Sequence, residues 1–120
     1  MVTGGDHVRR MTLAAALQGF GCDANEVATF DEALERILAG EIPQILLIDL
    51  RLSAAAARAL IEILRRDYAL TDMLIIAVDA VPDDQHRLSG LPDGWLNAML
   101  FRPTQMQDLY TVINSAVYAA

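Results

Sequence analysis

The chain has 120 residues, of which 54% are hydrophobic and 21% charged, and its formal net charge is -7. This length and composition predict a globular protein with one domain over residues 1–120. All nine basic residues are arginines, and the acidic balance argues against nucleic-acid binding because no basic stripe is available to displace counterions from phosphates. No apolar run approaches the roughly 20 residues that cross a bilayer, and the amino terminus lacks the pattern of a secretion signal, so we expect a cytoplasmic protein.

Three side chains are candidates for metal or redox chemistry by type alone. The single cysteine, Cys22, excludes an internal disulfide and a Cys-based metal site, and we expect it to be a small buried side chain. His7 and His86 lie in separate loop-like stretches without metal-ligand spacing, and we expect both to be exposed.

The amino-terminal third begins with a stunted strand and an amphipathic helix. Only Val2-Thr3 precedes a pair of glycines, whereas a strand usually has about five or six residues. Apolar residues spaced by three and four predict a first helix from Arg9 to Phe20, stopped by Gly21. The segment Cys22–Val27 is a weak strand interrupted by polar residues, Asp23 among them, which is typical of a sheet edge.

The second helix leads into the most apolar run of the chain. Residues 29–40 begin with the capping-box pair Thr29 and Glu32 and end with a glycine. Residues 44–50 are almost purely apolar and end on Asp49, which predicts a central strand buried on both faces. At the carboxyl edge of a parallel sheet, where ligands bind, Asp49 is the first candidate functional group.

A third helix and a second buried strand follow. Ser53 is a predicted cap, and Arg65-Arg66 is expected at the carboxyl end of this helix, where cations interact favourably with the helix dipole. Met73–Val78 is a continuous apolar strand that also ends on an acid, Asp79. The predicted inner face of the third helix comprises Ala57, Leu60, Ile61 and Leu64.

The carboxyl-terminal third is less regular. Prolines and glycines leave about two turns of helix near 83–88, so the fourth helix is predicted to be short or irregular. Ala98–Phe101 is a last short strand, broken by Arg102-Pro103. The predicted inner face of the final helix comprises Leu109, Val112, Ile113, Ala116 and Val117. Five strand-helix repeats with short connections predict a doubly wound α/β fold with one five-stranded parallel sheet and helices on both faces.

On these residues the chain resembles a response-regulator receiver domain. The matching segments are 47–52, which places Asp49 at the phosphoacceptor position, 75–80, which corresponds to the fourth strand, and 99–103, which corresponds to the Lys-Pro signature. The resemblance implies a flavodoxin-like, three-layer α/β/α fold and a role in two-component signalling. It also implies a histidine kinase, a histidine-phosphotransfer protein or another signalling domain as partner, with a homodimer as a further alternative.

The metal-binding positions of the family are changed. Receivers carry two adjacent acids after the first strand that hold the divalent cation, and the gapless match puts Gly4 and Gly5 there. The remaining acid is Asp6, just beyond them. The resemblance therefore implies a degenerate member, a pseudo-receiver, in which no Mg²⁺ cofactor is expected, since Mg²⁺ is usually held by one or two carboxylates together with waters and phosphate.

The switch positions are changed as well. The hydroxyl residue of the family is Asp79 here, its switch aromatic is Met99, and its lysine is Arg102, followed by Pro103. A second carboxylate near Asp49 is expected to raise the pKa of both acids. Arg102 is predicted to bridge the two carboxylates with its planar fork, which makes the site a permanent ion cluster.

Two alternatives stay open. In the first, Asp6 and Asp79 supply the cation ligands and Asp49 still accepts phosphate, so the chain is an active receiver. In the second, the chain is a small nucleotide-binding α/β module, for which Gly4-Gly5 and the pair of acids Asp49 and Asp79 are the weak indications.

With phosphorylation absent or weak, the chain is predicted to act through its surface as a non-enzymatic interaction module. The candidates for a partner surface are Met106, Tyr110 and Tyr118 on the final helix and Trp95 in the irregular segment, each of which more often completes a core.

Overall fold

The computed structural model describes residues 1–22 and 24–118, with side chains through residue 116. The five strands form one parallel sheet in the order β2-β1-β3-β4-β5, with helices on both faces, which confirms the predicted doubly wound, three-layer α/β/α fold. In chain order, the elements are β1 (Val2–Thr3), α1 (His7–Gln18), β2 (Glu26–Val27), α2 (Phe30–Leu38), β3 (Ile45–Asp49), α3 (Ala54–Glu62), a π-helical turn (Ile63–Asp67), β4 (Leu74–Ala80), α4 (Pro82–Arg87), β5 (Ala98–Phe101) and α5 (Met106–Tyr118).

Strand β3 is the centre of the core. Ile45 and Leu47 pack on one side of the sheet with α1 and α5, and Leu46 and Ile48 pack on the other side with α2, α3 and α4. All four side chains are buried. Burial of each apolar side chain of this size stabilises the fold by about 1.5–3 kcal/mol, so the apolar run fixes Asp49, the last residue of β3, at the carboxyl edge of the sheet.

Polar side chains set where three helices begin. Asp6, Thr29 and Ser53 each accept a hydrogen bond at 2.8–3.1 Å from the backbone N–H three residues later. Thr29 and Ser53 are therefore caps, as predicted. Because Asp6 caps α1, this helix begins two residues before the predicted start, and it ends at Gln18.

The remaining strands and α4 differ from prediction mainly at their ends. Only Glu26–Val27 of the predicted strand at 22–27 pairs with the sheet, and it forms an edge, as predicted; Asp23 lies outside the described residues. β4 continues two residues past Val78 and so includes Asp79. The bounds of β5 are those predicted, and α4 has six residues, which confirms a short fourth helix.

Arg65 and Arg66 lie in the last turn of the helical segment, as predicted, but Arg65 is buried. The helix continues as the π-helical turn, and Arg65 points into the protein, where it is 5% exposed. Its guanidinium donates to the backbone oxygens of Leu70 (2.6 Å) and Trp95 (3.1 Å) and to Oδ1 of Asn97 (3.0 Å). Burial lowers the pKa of Arg65.

Most predicted apolar faces are buried. On α5, Val112 is partly buried and Ala116 is exposed, while the side chains of Val117 and Tyr118 lie outside the described residues. Tyr110 is exposed, and Met106 and Trp95 are partly buried. Within 1–22 and 24–118, no helix has the length and apolar character needed to cross a membrane. The core-facing residues of the other helices are Leu13, Ala16 and Leu17 of α1, Phe30, Ala33 and Ile37 of α2, and Ala57, Leu60 and Ile61 of α3, with Leu64 in the π-helical turn.

Candidate functional site

Two buried carboxylates lie at the carboxyl edge of the sheet, where β1, β3 and β4 end. Asp49 is 0% exposed and Asp79 is 3% exposed. Asp6, at the start of α1, is exposed beside them. A buried carboxylate is stable only when it is paired and hydrogen-bonded, so the contacts of these two acids define the site.

The carboxylate of Asp49 is enclosed by Arg51 and by the backbone of Gly5. Its Oδ1 accepts a hydrogen bond from the backbone N–H of Arg51 at 2.9 Å, and its Oδ2 lies 3.4 Å from Nη2 of the same arginine. On the other side, the backbone of Gly5 is so close that a Cβ atom there would overlap Oδ2 of Asp49. Both carboxylate oxygens are thus covered by this chain.

The two glycines are required by this arrangement. Gly4 and Gly5 have φ angles of +87° and +70°, which L side chains rarely adopt. A Cβ at position 4 would also lie 3.0 Å from the ring of Phe30 and 3.1 Å from the backbone oxygen of Asp49. An acidic pair at these positions is therefore incompatible with the observed backbone, and the glycines serve a close approach to Asp49.

Asp79 is held from two elements. It has a φ of +55°, unusual for a residue other than glycine. Its N–H donates to Oγ1 of Thr104 at 2.8 Å, and its Oδ1 accepts from the N–H of Thr104 at 3.0 Å. Arg9 of α1 donates to both oxygens of the Asp79 carboxylate, at 2.9 and 3.1 Å, and also to the backbone oxygen of Thr104. These contacts cross-link α1, β4 and the segment before α5.

The expectation that neighbouring carboxylates raise the pKa of Asp79 is wrong. Burial does raise this pKa, but the hydrogen bonds from Thr104 and the hydrogen bonds and charge of Arg9 outweigh it, and the pKa of Asp79 lies below its usual range. Asp79 is therefore ionised at neutral pH.

Arg51 joins all three acids. Its guanidinium lies 3.4 Å from Asp49, 3.5 Å from Asp79 and 3.9 Å from Asp6, measured from nitrogen to carboxylate oxygen. Burial lowers the pKa of Arg51, but the Asp49 charge and hydrogen bond, then the charges of Asp79 and Asp6, outweigh this and raise it. The site therefore contains a guanidinium group between its carboxylates, on a side chain that is 36% exposed.

The predicted bridge by Arg102 is wrong. Arg102 is exposed, and its Nη2 donates to the backbone oxygen of Asp79 at 3.2 Å, away from both carboxylate groups. The bridging role belongs to Arg51, which lies two residues after Asp49, and Arg9 of α1 forms the bidentate pair with Asp79.

The other two predicted site residues lie outside the cluster. Met99 is partly buried in β5 beside Ala77 and packs against the core on the α4 side. Pro103 is exposed and follows β5 directly. His7 and His86 are exposed and Cys22 is buried, as predicted.

Three residues of the cluster were missed from the sequence: Arg9, Arg51 and Thr104. Arg51 stands two positions after Asp49, and Arg9 lies in the first turn of a helix that starts at the same edge of the sheet. These two positions in the sequence could have indicated that Arg51 and Arg9 lie near the carboxylates. Thr104 has no local signal, because its role depends on how the segment after β5 folds back on Asp79.

Three solved structures are similar to almost the whole chain. A sensor protein from Polaromonas sp. JS666 has a TM-score of 0.77 at 22% identity, over 97% of this chain and 92% of that one. The receiver domain of a sensor histidine kinase from Pseudomonas aeruginosa PAO1, with a magnesium ion in its active-site cleft, has a TM-score of 0.67 at 20% identity, over 94% and 91%. A co-crystal of the Saccharomyces cerevisiae histidine-phosphotransfer protein Ypd1 with the receiver domain of the response regulator Ssk1 gives 0.66 at 17% identity, over 95% and 85%.

The chain has the receiver fold. Its sequence matches no protein-family model and no curated protein. Asp49 and Asp79 lie at the carboxyl edge of the sheet in this chain. The Pseudomonas receiver holds a magnesium ion in its active-site cleft.

The residues at the carboxyl edge of the sheet in this chain do not fit a magnesium ion. Gly4 and Gly5 provide no carboxylate, and the carboxylates of Asp49 and Asp79 are already neutralised by guanidinium groups. Over the described ranges 1–22 and 24–118, no three His, Cys, Asp or Glu side chains converge so that they could hold a metal ion.

Proposed function

We propose that this chain is a pseudo-receiver of two-component signalling that works as a phosphorylation-independent interaction module. The observation that carries the proposal is the enclosure of Asp49, whose two carboxylate oxygens are covered by Arg51 and by the backbone of Gly5. Asp49 occupies the phosphoacceptor position, but a phosphoryl donor must reach one of those oxygens.

The electrostatics of the site support the same proposal. Phosphoryl transfer requires positive charge around the equatorial oxygens of the transferred group and an open line of attack. Here Arg9 forms an ion pair with Asp79 and Arg51 forms one with Asp49, so these positive charges are already neutralised. The ionised Asp79 also adds a negative charge where the family has a neutral hydroxyl, which repels an incoming phosphoryl group.

The proposed partners follow from the fold. Receiver folds occur in a sensor histidine kinase and in a complex with a phosphotransfer protein, as the Pseudomonas and Saccharomyces structures show for those proteins. We infer that this chain binds a cytoplasmic histidine kinase, phosphotransfer protein or other signalling domain, and that it has no catalytic group of its own.

Intact-mass measurement after incubation with a small-molecule phosphodonor tests the proposal. The protein is incubated with and without Mg²⁺, and Asp49→Asn is the matched control because it preserves the shape of the side chain. We expect no phosphoryl adduct in any sample. An Mg²⁺-dependent adduct that is lost in Asp49→Asn would establish an active receiver.

An adduct on Asp49 that forms equally well with a chelator would have a different meaning. It would show that Arg9 and Arg51 replace the metal in phosphoryl transfer, and it would equally overturn the proposal. Circular dichroism of each variant shows that a negative result comes from folded protein.

A further inference from the structure

The carboxylate of Asp79 lies among donors from three separate segments. Arg9 of α1 donates to both carboxylate oxygens, at 2.9 and 3.1 Å, and the N–H of Thr104 donates to Oδ1 at 3.0 Å. Nε of Arg51, just after β3, lies 3.5 Å from Oδ2. Guanidinium forks and backbone N–H groups are the donors with which proteins bind carboxylates and phosphates. This donor set is therefore equipped to bind an oxyanion, and the anion that it holds belongs to the same chain.

The origin of its donors distinguishes Asp79 from an acid that supports a local turn. Asp84 is also buried, but it receives its hydrogen bonds from Val81 and Arg87, three residues before and after it. The hydrogen-bond donors of Asp79 lie 25 and 70 positions away along the chain. Burial raises the pKa of Asp79, but the hydrogen bonds from Thr104 and Arg9 and the charge of Arg9 outweigh this effect. The group that these donors hold is therefore an anion.

The backbone of β4 is distorted at Asp79. The pairing of β4 with β5 shifts register between Ala77 and Ala80, and Asp79, within this shift, has a φ of +55°. An irregularity of this kind redirects a side chain of the strand, and a positive φ favours glycine over aspartate. The aspartate is thus explained by what its carboxylate binds, since the backbone alone favours glycine.

We propose that Arg9, Arg51 and Thr104 form an oxyanion-binding site whose ligand is the carboxylate of Asp79. Arg9 also donates to the backbone oxygen of Thr104 at 3.1 Å, so the filled site ties the first turn of α1 to the segment before α5. A ligand on the same chain has a much higher effective concentration than a free anion, and the site of the wild type therefore stays filled. The chain holds α1 and α5 in one arrangement without binding an external anion.

This site goes beyond the proposed function and does not depend on it. Phosphorylation of Asp49 is read by mass after incubation with a phosphodonor, whereas the site of Asp79 is read by the response of an unphosphorylated variant to a small carboxylate. An adduct on Asp49 would overturn the pseudo-receiver and leave this site in place. The absence of a carboxylate response would do the reverse.

Formate, the smallest carboxylate, tests the site in Asp79→Gly. This substitution removes the side-chain carboxylate, and glycine adopts the positive φ without strain. We expect a lower midpoint of thermal unfolding than in the wild type. Sodium formate should raise that midpoint in a saturable way, by about 5 °C at about ten times its dissociation constant, and sodium chloride at the same ionic strength should not. The wild type, whose site is filled, should respond equally to the two salts.

Two further variants locate the site. In Arg9→Met/Asp79→Gly, formate loses its bidentate donor, and we expect the difference between formate and chloride to disappear. In Asp79→Asn, the side chain keeps its shape and an oxygen that accepts from Thr104, so formate finds no space and the two salts should again act equally.

Hydrogen exchange reads the tie between α1 and the segment before α5. Asp79→Asn keeps the site filled but removes the charge that Arg9 binds. We expect the amides of residues 10–13 and of Thr104 to exchange about fivefold faster in this variant than in the wild type, because neutral hydrogen bonds are weaker than charge-assisted ones.

Three results would each contradict the proposal. They are an Asp79→Gly midpoint that formate and chloride raise equally, a formate response that persists in Arg9→Met/Asp79→Gly, and exchange in α1 that Asp79→Asn leaves unchanged. If Asp79→Gly is unfolded in chloride, folding in formate supports the site. The exchange measurement on Asp79→Asn decides the question where neither salt folds Asp79→Gly.

Discussion

Two arginine-centred networks stabilise opposite edges of the sheet, and they differ in what neutralises the charge. At the amino edge, Arg65 is buried among backbone oxygens and the side chain of Asn97, whose Oδ1 also accepts from the N–H of Ile75. At the carboxyl edge, Arg9 and Arg51 pair with carboxylates. The pKa is lowered by burial at Arg65, whereas at Arg51 the acids raise it.

The difference lies in whether the partners of the arginines can titrate. Backbone oxygens do not titrate, so the Arg65 network keeps the same charge across the pH range in which proteins are stable. The carboxyl-edge cluster depends on ionised acids and lies at the edge of a parallel sheet where ligands usually bind. We therefore expect the first network to dominate stability and the second to respond to pH.

The largest effect is expected from Arg65→Met. The methionine fills much of the space of the side-chain stem but removes a donor from the backbone oxygens of Leu70 and Trp95 and from Oδ1 of Asn97, which keeps the N–H of Ile75. Hydrogen bonds to charged groups contribute about 1.5–3 kcal/mol each. We predict a loss of about 3 kcal/mol or more in the free energy of unfolding, measured by urea denaturation. Arg66→Met, at a neighbouring side chain that is 60% exposed over Trp95, is the control and is expected to cost less than about 1 kcal/mol. Equal losses of unfolding free energy in Arg65→Met and Arg66→Met would show that the burial of Arg65 does not contribute to stability.

The next largest effect is expected from Arg9→Met. This change leaves the buried carboxylate of Asp79 with the Thr104 hydrogen bond and with Arg51 at 3.5 Å. We predict a loss of about 2 kcal/mol. A double-mutant cycle with Asp79→Asn isolates the pair, and we predict a coupling energy of about 1–2 kcal/mol. Strictly additive effects in the cycle would contradict the assigned contact.

The two networks are also expected to respond differently to acid. Because the pKa of Asp79 is lower in the folded protein than in the unfolded chain, its ionised form stabilises the fold above the unfolded pKa of about 3.9, and this contribution is lost as the pH falls through the folded pKa. The difference in unfolding free energy between wild type and Asp79→Asn should therefore shrink below about pH 4. The difference in unfolding free energy between wild type and Arg65→Met should stay constant over the same pH range. If it also shrank below about pH 4, the two edges would not differ in their response to acid.

The smallest effect is expected from Arg102→Met. Arg102 is exposed, and its side-chain hydrogen bond to the described part of the chain goes to the backbone oxygen of Asp79, so we predict a loss below about 1 kcal/mol. Arg51→Met is the comparison at the same edge. It is expected to cost more than Arg102→Met because it leaves the fully buried carboxylate of Asp49 without a cation. A larger loss for Arg102→Met than for Arg51→Met would indicate that Arg102 bridges the carboxylates.

The sequence predicts the fold better than the cluster. The apolar runs that end on Asp49 and Asp79, and the cap at Ser53, are local patterns that place two carboxylates at one edge. The guanidinium partners could not be read in the same way, because an arginine side chain is long enough to reach several acids. Arg65 shows the limit clearly, since the sequence predicts its place at the end of the helix but not its burial there.

A magnesium titration followed by amide NMR tests the fixed ion cluster most directly. The signals to observe are the backbone amides of Gly5, Asp6, Arg51 and Thr104, which surround the carboxylates of Asp49 and Asp79. With the carboxylates held by Arg9 and Arg51, we predict no saturable shift at these amides. A saturable shift centred on Gly5 and Arg51 would show that magnesium displaces the guanidinium and that the receiver site is open.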